Sequence, residues 1–218
     1  MNAQSPLERL RGWRLFGLFA LLVLLMTALT LALTPDLVEG IRSAIRSTAR
    51  SSFALFLAAF VASALAVLIP SPFTKALVRE RRFIGLAFAF SHFVHALLII
   101  AYGQLNQEFW PGRTALNNLP GSVGYLFIFL LAATSFKSTS RLLGAKAWKR
   151  LHLTGMWVIA AIFAYSNFKR IPMSAWYVLP FGIIFSAAVI RGLGTLAQAT
   201  KRNQSKQRGA SRAAALQS

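Results

Sequence analysis

The chain has three histidines, and they are the residues titrating near neutral pH that lie within its uncharged, apolar runs. His92 and His95 lie within the uncharged run 83–102, and their i, i+3 spacing places both imidazoles on one face of a helix. His152 stands near the start of a second uncharged run, 151–168. A neutral imidazole is the usual axial ligand of haem iron, and two imidazoles on one iron suit electron transfer. The chain has no cysteine, which excludes thiolate metal sites, iron–sulfur clusters and cysteine nucleophiles.

Small and basic residues flank these histidines in the way that a haem site between helices requires. Gly85 lies two turns before His92 on the same helical face, and Gly155 lies one turn after His152. Glycine lets helices approach a flat ring closely. Basic side chains would bind the haem propionates through charge-assisted hydrogen bonds. The candidates for this role are Arg81, Arg82, Lys149 and Arg150.

Long apolar segments must position these residues. The chain of 218 residues is 56% hydrophobic and only 13% charged. A bilayer core about 30 Å thick needs roughly 17–25 helical residues, and lipid offers no partner to backbone amides outside a helix. The pattern therefore predicts an all-α, integral membrane bundle of six helices. The uncharged runs are 15–34, 51–69, 83–102, 121–136, 151–168 and 175–190.

The distribution of basic residues predicts the topology. Most of the 24 Lys and Arg fall at the N-terminus, in the second and fourth connections and after the last run. Because the more basic side stays in the cytoplasm, we expect both termini there and an inner-membrane location. The chain divides into a basic N-terminus (1–14), a transmembrane domain (15–193) and a flexible basic tail (194–218).

The connection after the first run has its own pattern. Thr34-Pro35-Asp36 reads as a helix N-cap with proline at the first helical position. Apolar residues then recur every four positions on one face of a helix and arginines every four positions on another face, up to Arg50. This favours a short interfacial helix, with a plain solvated connection as the alternative.

The acidic residues narrow the function further. All five lie outside the uncharged runs. Proton-coupled transporters generally place a carboxylate or a basic side chain within the bilayer, and the uncharged runs contain neither, which disfavours this class of protein. The three histidines are then the titratable groups that remain within the runs. Each also has a structural alternative. His92 and His95 would bond hydroxyls or carbonyls of a neighbouring helix, and His152 would lie at headgroup level.

Two motifs surround the histidines. They are Arg81-Arg82-Phe83-Ile84-Gly85-Leu86 leading to His95-Ala96-Leu97-Leu98, and Trp148-Lys149-Arg150-Leu151-His152. In these motifs the chain resembles the ferric reductase-like transmembrane domain family, which includes the haem-binding membrane subunit of the methionine sulfoxide reductase system. The resemblance extends from about residue 51 to the sixth run. It implies a membrane b-type cytochrome, with His95 as the family histidine of the third span and His152 as the first histidine of the fifth.

The chain also departs from the family. The family often has a further histidine along the fifth span, where this chain has Tyr165, so the resemblance implies a single haem b. Counted from the basic ends of their runs, His95 lies roughly 16 Å and His92 roughly 12 Å deeper than His152. A fifth helix that starts near Ala145 would reduce this offset. Both His92 and His95 therefore stay open as partners of His152.

The sequence thus predicts a haem b-containing electron-transfer subunit, an oxidoreductase component without its own flavin or nicotinamide domain. Its electrons would come from a separate soluble or quinone donor and pass to a separate acceptor protein. The alternative is a haem-free helical subunit that stabilises or assembles a partner complex. Nucleic-acid binding is disfavoured, because the basic residues punctuate apolar runs and the tail has no aromatic residue for stacking.

Overall fold

The computed structural model describes residues 10–106, 108–111 and 114–215. The first nine residues of the predicted N-terminus and the last three of the tail lie outside them. Six α-helices and no strand occur in the described part, and each helix is long and apolar enough to cross a membrane, which confirms the predicted fold class. The helices are α1 (Trp13–Leu33), α2 (Leu37–Leu68), α3 (Pro72–Leu105), α4 (Ala115–Ala133), α5 (Lys137–Phe168) and α6 (Val178–Ala215).

Helix α2 begins earlier than the apolar run that it contains. Its N-cap is Asp36, whose carboxylate accepts a 2.7 Å hydrogen bond from the main-chain N–H of Glu39. The prediction that Thr34 caps a separate interfacial helix is therefore wrong. The segment up to Arg50 is continuous with the second span, because no proline interrupts residues 37–68 and Asp is the stronger cap.

Helix α5 also begins before its apolar run. It starts at Lys137, and Gly144 interrupts it with φ +73°, a left-handed conformation that glycine adopts without strain. Regular helix then resumes at Ala145, the start that the sequence analysis considered as a way to reduce the depth offset of His152. The basic fourth connection is thus helical, because it is rich in Lys, Arg, Leu and Ala.

Helix α6 does not end with the last apolar run. It continues to Ala215, through much of the segment 194–218 for which the sequence predicts a flexible tail. Alanine, glutamine, lysine and arginine favour helix at these positions. The mobility of this segment stays a prediction.

Helix α2 lies at the centre of the bundle. It packs most extensively on α3 and also contacts α1 and α6, whereas α4 packs chiefly on α5. Phe56 and Phe60 of α2 are fully buried, and they share one apolar cluster with Phe88 of α3, Ile159 of α5 and Ile184 of α6. The face of α3 that carries the histidines is therefore held in place by α2.

Helix α6 approaches α2 closely at Gly194. A Cβ atom added to Gly194 would lie 2.5 Å from the Cβ and 2.6 Å from the Cα of Ala64. No side chain fits in that space without movement of the backbone. Gly192, two residues earlier on the same helix, borders open space, and a Cβ added there would have nothing within 4 Å.

We expect Gly194→Ala to lower the free energy of unfolding by about 1–3 kcal/mol, because the added methyl group overpacks the α2–α6 contact. Gly192→Ala is the matched control and should leave stability unchanged or slightly raised, since alanine favours helix. Thermal unfolding of both variants in the same detergent measures the difference. Equal midpoints for the two variants would contradict the close approach.

Orientation in the membrane is tested with single cysteines, because the chain has none of its own. Met173, between α5 and α6, and Arg208, near the end of α6, are both exposed and lie at opposite ends of the last span. With cytoplasmic termini, an impermeant maleimide should label Met173→Cys in intact cells and Arg208→Cys only after permeabilisation. The reverse pattern would invert the predicted topology.

Candidate functional site

His95 is bound by the main chain of α2. Its Nδ1 lies 3.0 Å from the carbonyl oxygen of Ile45 and 3.0 Å from Oγ1 of Thr48. A carbonyl only accepts, and the Thr48 hydroxyl donates its own hydrogen to the carbonyl of Ala44 at 2.8 Å. The proton therefore lies on Nδ1 of His95, and Nε2 of the neutral imidazole keeps its lone pair.

A buried hydroxyl cluster holds this part of α2 against α3. Oγ of Ser91 lies 2.8 Å from Oγ of Ser51 and 2.9 Å from Oγ of Ser52. Thr48, Ser52 and Ser91 are completely buried. Because these bonds are made where water is excluded, they fix the register of the two helices around His95. A histidine whose Nδ1–H is bound to a backbone carbonyl has the geometry that metal-ligating histidines usually show.

His92 lies beside His95 but has different surroundings. Its ring centroid is 5.2 Å from that of His95, 5.1 Å from that of Tyr125 on α4 and 6.2 Å from that of Phe163 on α5. Nδ1 of His92 and the hydroxyl of Tyr125 are buried and have no hydrogen-bond partner among the described residues. Buried polar atoms without partners are rare, so two of them side by side mark a place where a bound group would be satisfied.

His152 is held at the end of α4. Its Nε2 lies 3.0 Å from Oγ1 of Thr134, and that hydroxyl donates to the carbonyl of Leu130 at 2.6 Å. This contact joins His152 to Thr134 whichever of the two atoms supplies the hydrogen. The indole of Trp148 stacks on the imidazole with ring centroids 4.2 Å apart. His152 therefore has a hydroxyl partner inside the bundle, an arrangement that the sequence analysis proposed for His92 and His95 and not for His152.

The three histidines occupy two levels of the bundle. His92 lies next to Tyr125 and His152 next to Thr134, and the rise along α4 between those two residues is about 13 Å. Along α5, the rise from His152 to Phe163, the neighbour of His92, is about 16 Å. Two imidazoles so far apart in depth do not share one iron. The structure thus brings His92 and His95 together and does not bring His152 to either.

The two candidate glycines differ in their surroundings. Gly85 borders open space, so the α3 face two turns before His92 has room for a flat group. Gly155 faces Leu131 of α4, whose side-chain carbons would lie 3.1 Å from an added Cβ. Gly155 therefore serves the packing of α5 on α4. Tyr165, at the position of the missing family histidine, is 51% exposed on the outside of the bundle.

The candidate basic residues lie around the level of His152. Nη1 of Arg81 donates to Oγ of Ser63 at 2.7 Å, and the charge of Arg81 acts on His152. Arg82 lies 5.8 Å from the ring centroid of Phe136, near the end of α4. Lys149 and Arg150 are exposed. The positive charge of Arg170 acts on His95.

Sequence reasoning missed four residues that shape this site. They come from α2, α3, α4 and the connection after α5. The sequence contains a pattern that could have indicated only one of them, Thr48. The hydroxyl-rich stretch 47–52 could have indicated a buried polar seam. The missed residues are Thr48, Ser91, Tyr125 and Arg170.

Two apolar grooves also open on the bundle. One, of about 280 Å³, lies among α1, α3 and α4, and the other, of about 560 Å³, lies between α2 and α6. Neither is lined by any of the three histidines. The histidine level is walled instead by Phe88 and Phe163.

Comparison with known proteins gives one match. A family model described as the ferric reductase like transmembrane component matches residues 48–163, the part of the chain from Thr48 to Phe163 that contains all three histidines. No curated protein and no solved structure matches the chain. The family match therefore does not single out the methionine sulfoxide reductase subunit. Because it spans more than half of the 218 residues, the chain belongs to the ferric reductase-like transmembrane family.

Proposed function

We propose that this multi-pass membrane protein is an electron-transfer component that carries haem b, with His95 as an axial ligand. Membership of the family suggests membrane electron transfer, and its domains usually bind haem. The observation that carries the assignment to His95 is the Nδ1–H bond to the Ile45 carbonyl. That bond leaves Nε2 with a lone pair in a low-dielectric setting.

The residues around His95 fit such a group. When bound, haem would supply reversible one-electron chemistry at its iron. Thr48 and Ile45 hold the imidazole in one orientation, and Phe88 and Phe163 exclude water from the level of the histidines. Nδ1 of His92 and the Tyr125 hydroxyl are free to hydrogen-bond a ligand.

His152 has a separate role in this proposal. Its Nε2 is bound to Thr134, and it lies about 13–16 Å in depth from the α3 histidines. His92 and His95 share one helix a single turn apart, so the backbone of α3 prevents them from taking opposite faces of one porphyrin. In this proposal one haem therefore has one histidine ligand from the chain. The four basic residues near His152 do not bind the propionates of that haem.

The electron donor and acceptor are separate molecules in this proposal. The chain would take electrons from a soluble protein or a quinone in the inner membrane and pass them to an acceptor protein across the bilayer. The described residues form one bundle of helices long and apolar enough to cross a membrane, which supports a role inside it.

We expect the protein, purified in detergent from haem-replete cells, to show a b-type reduced-minus-oxidised spectrum and a positive pyridine haemochrome assay. His95→Ala should lose this signal, because it removes the ligand. His152→Ala is the matched control and should keep it, because that imidazole lies on another level. Circular dichroism and gel filtration of each variant check that the bundle is folded.

Two outcomes would contradict the proposal. A b-type signal that survives His95→Ala and is lost in a folded His152→Ala variant would move the ligand to the other level. A colourless, folded preparation of the unaltered chain would favour the haem-free subunit that stabilises or assembles a partner complex.

A further inference from the structure

Two arginines meet on the same part of α2. Nη1 of Arg81, from α3, donates to Oγ of Ser63 at 2.7 Å. Nη1 of Arg191, from α6, donates to the main-chain carbonyl of Phe60, and its guanidinium lies 4.5 Å from the centroid of the Phe60 ring. Phe60 and Ser63 are one turn apart on α2, so the two guanidinium groups are neighbours. The charge of Arg81 acts on Arg191.

Packing keeps Arg191 in this position. Its guanidinium also lies 5.9 Å from the ring centroid of Trp157 on α5, and Trp157 makes an edge-on contact with the fully buried Phe60. One turn further along α6, Gly194 is pressed against Ala64 of α2. The hydrogen bond to Phe60 and the contacts with the Phe60 and Trp157 rings hold the Arg191 guanidinium beside that of Arg81.

No described carboxylate balances the pair. Asp36, Glu39 and Glu108 belong to the opposite end of the bundle, at the start of α2 and after the end of α3. Glu80 is bound by Nε of Arg79 at 2.8 Å. Like charges side by side are costly where they are partly removed from water, and a bound anion would relieve their repulsion.

We propose that Arg81 and Arg191 bind the phosphate of an anionic phospholipid. Two planar guanidinium groups suit a phosphate better than any single cation does. Basic pockets between transmembrane helices are known to hold anionic lipid headgroups. Lys201, further along α6, donates to the carbonyl of Val67 at 3.3 Å and extends the positive surface at this end of the bundle.

The same two helices provide a place for an acyl chain. The groove of about 560 Å³ between α2 and α6 is lined by Val61 and Ile190, the chain neighbours of Phe60 and Arg191. Its remaining lining is almost entirely apolar. A phospholipid with its phosphate at the arginine pair would therefore have an apolar groove beside it. This site is independent of haem.

The experiment compares phosphatidylglycerol with phosphatidylcholine on the full chain, purified in detergent and freed of added lipid. Native mass spectrometry counts the retained lipid, and tryptophan fluorescence follows thermal unfolding. We expect phosphatidylglycerol to be retained and to raise the unfolding temperature, whereas phosphatidylcholine does not. Arg81→Gln and Arg191→Gln should each weaken retention about tenfold, as the loss of one charge-assisted contact predicts. Arg202→Gln, an exposed base on the same helix, should retain the lipid as the unaltered chain does.

Further controls distinguish the phosphate of a phospholipid from inorganic phosphate and from the propionates of haem. Inorganic phosphate at matched ionic strength should not reproduce the thermal shift, and a shift equal to that of phosphatidylglycerol would overturn the lipid assignment. The haem-free chain should respond to the lipid as the haem-loaded chain does, since the proposal does not involve haem propionates. Equal retention of both lipids by the unaltered chain would also overturn it, and this comparison needs no variant to fold.

Discussion

The interior of a bilayer supplies no water to a buried imidazole, so its hydrogen-bond partners must come from the protein. In this structure the pair of helices α2 and α3 supplies them. His95 of α3 donates to the carbonyl of Ile45 on α2, and buried hydroxyls of Thr48, Ser52 and Ser91 join the two helices beside it. The same bonds that satisfy these polar groups also fix the register of the pair. They leave Nε2 of His95 as a base, which is what an iron ligand must be.

The fold could be predicted from the sequence because the bilayer thickness fixes the length of every span, and six uncharged runs of nearly that length are present. Helix boundaries could not be predicted in the same way. An apolar run indicates which residues can lie in the bilayer core, but it does not indicate at which residue the helix begins. Asp36 starts α2, and Lys137 starts α5, each about four turns before the lipid-compatible segment.

The candidate site was predicted only in part. Spacing alone placed His92 and His95 on one face of α3, but it could not show which helix that face meets. The rotation and depth of each helix are set by large contacts, such as those of Phe56 and Phe60, that join residues far apart in sequence. For this reason the partnership of His95 with Ile45, and the separate level of His152, became visible only in three dimensions.

The central claim is that α2 holds His95 with its proton on Nδ1, and ¹⁵N NMR of the histidine-labelled, haem-free chain in lipid bilayers tests it most directly. With only three histidines, His95→Gln and His152→Gln assign the signals. The account predicts a neutral His95 protonated on Nδ1. A His95 protonated on Nε2, or charged at neutral pH, would contradict it.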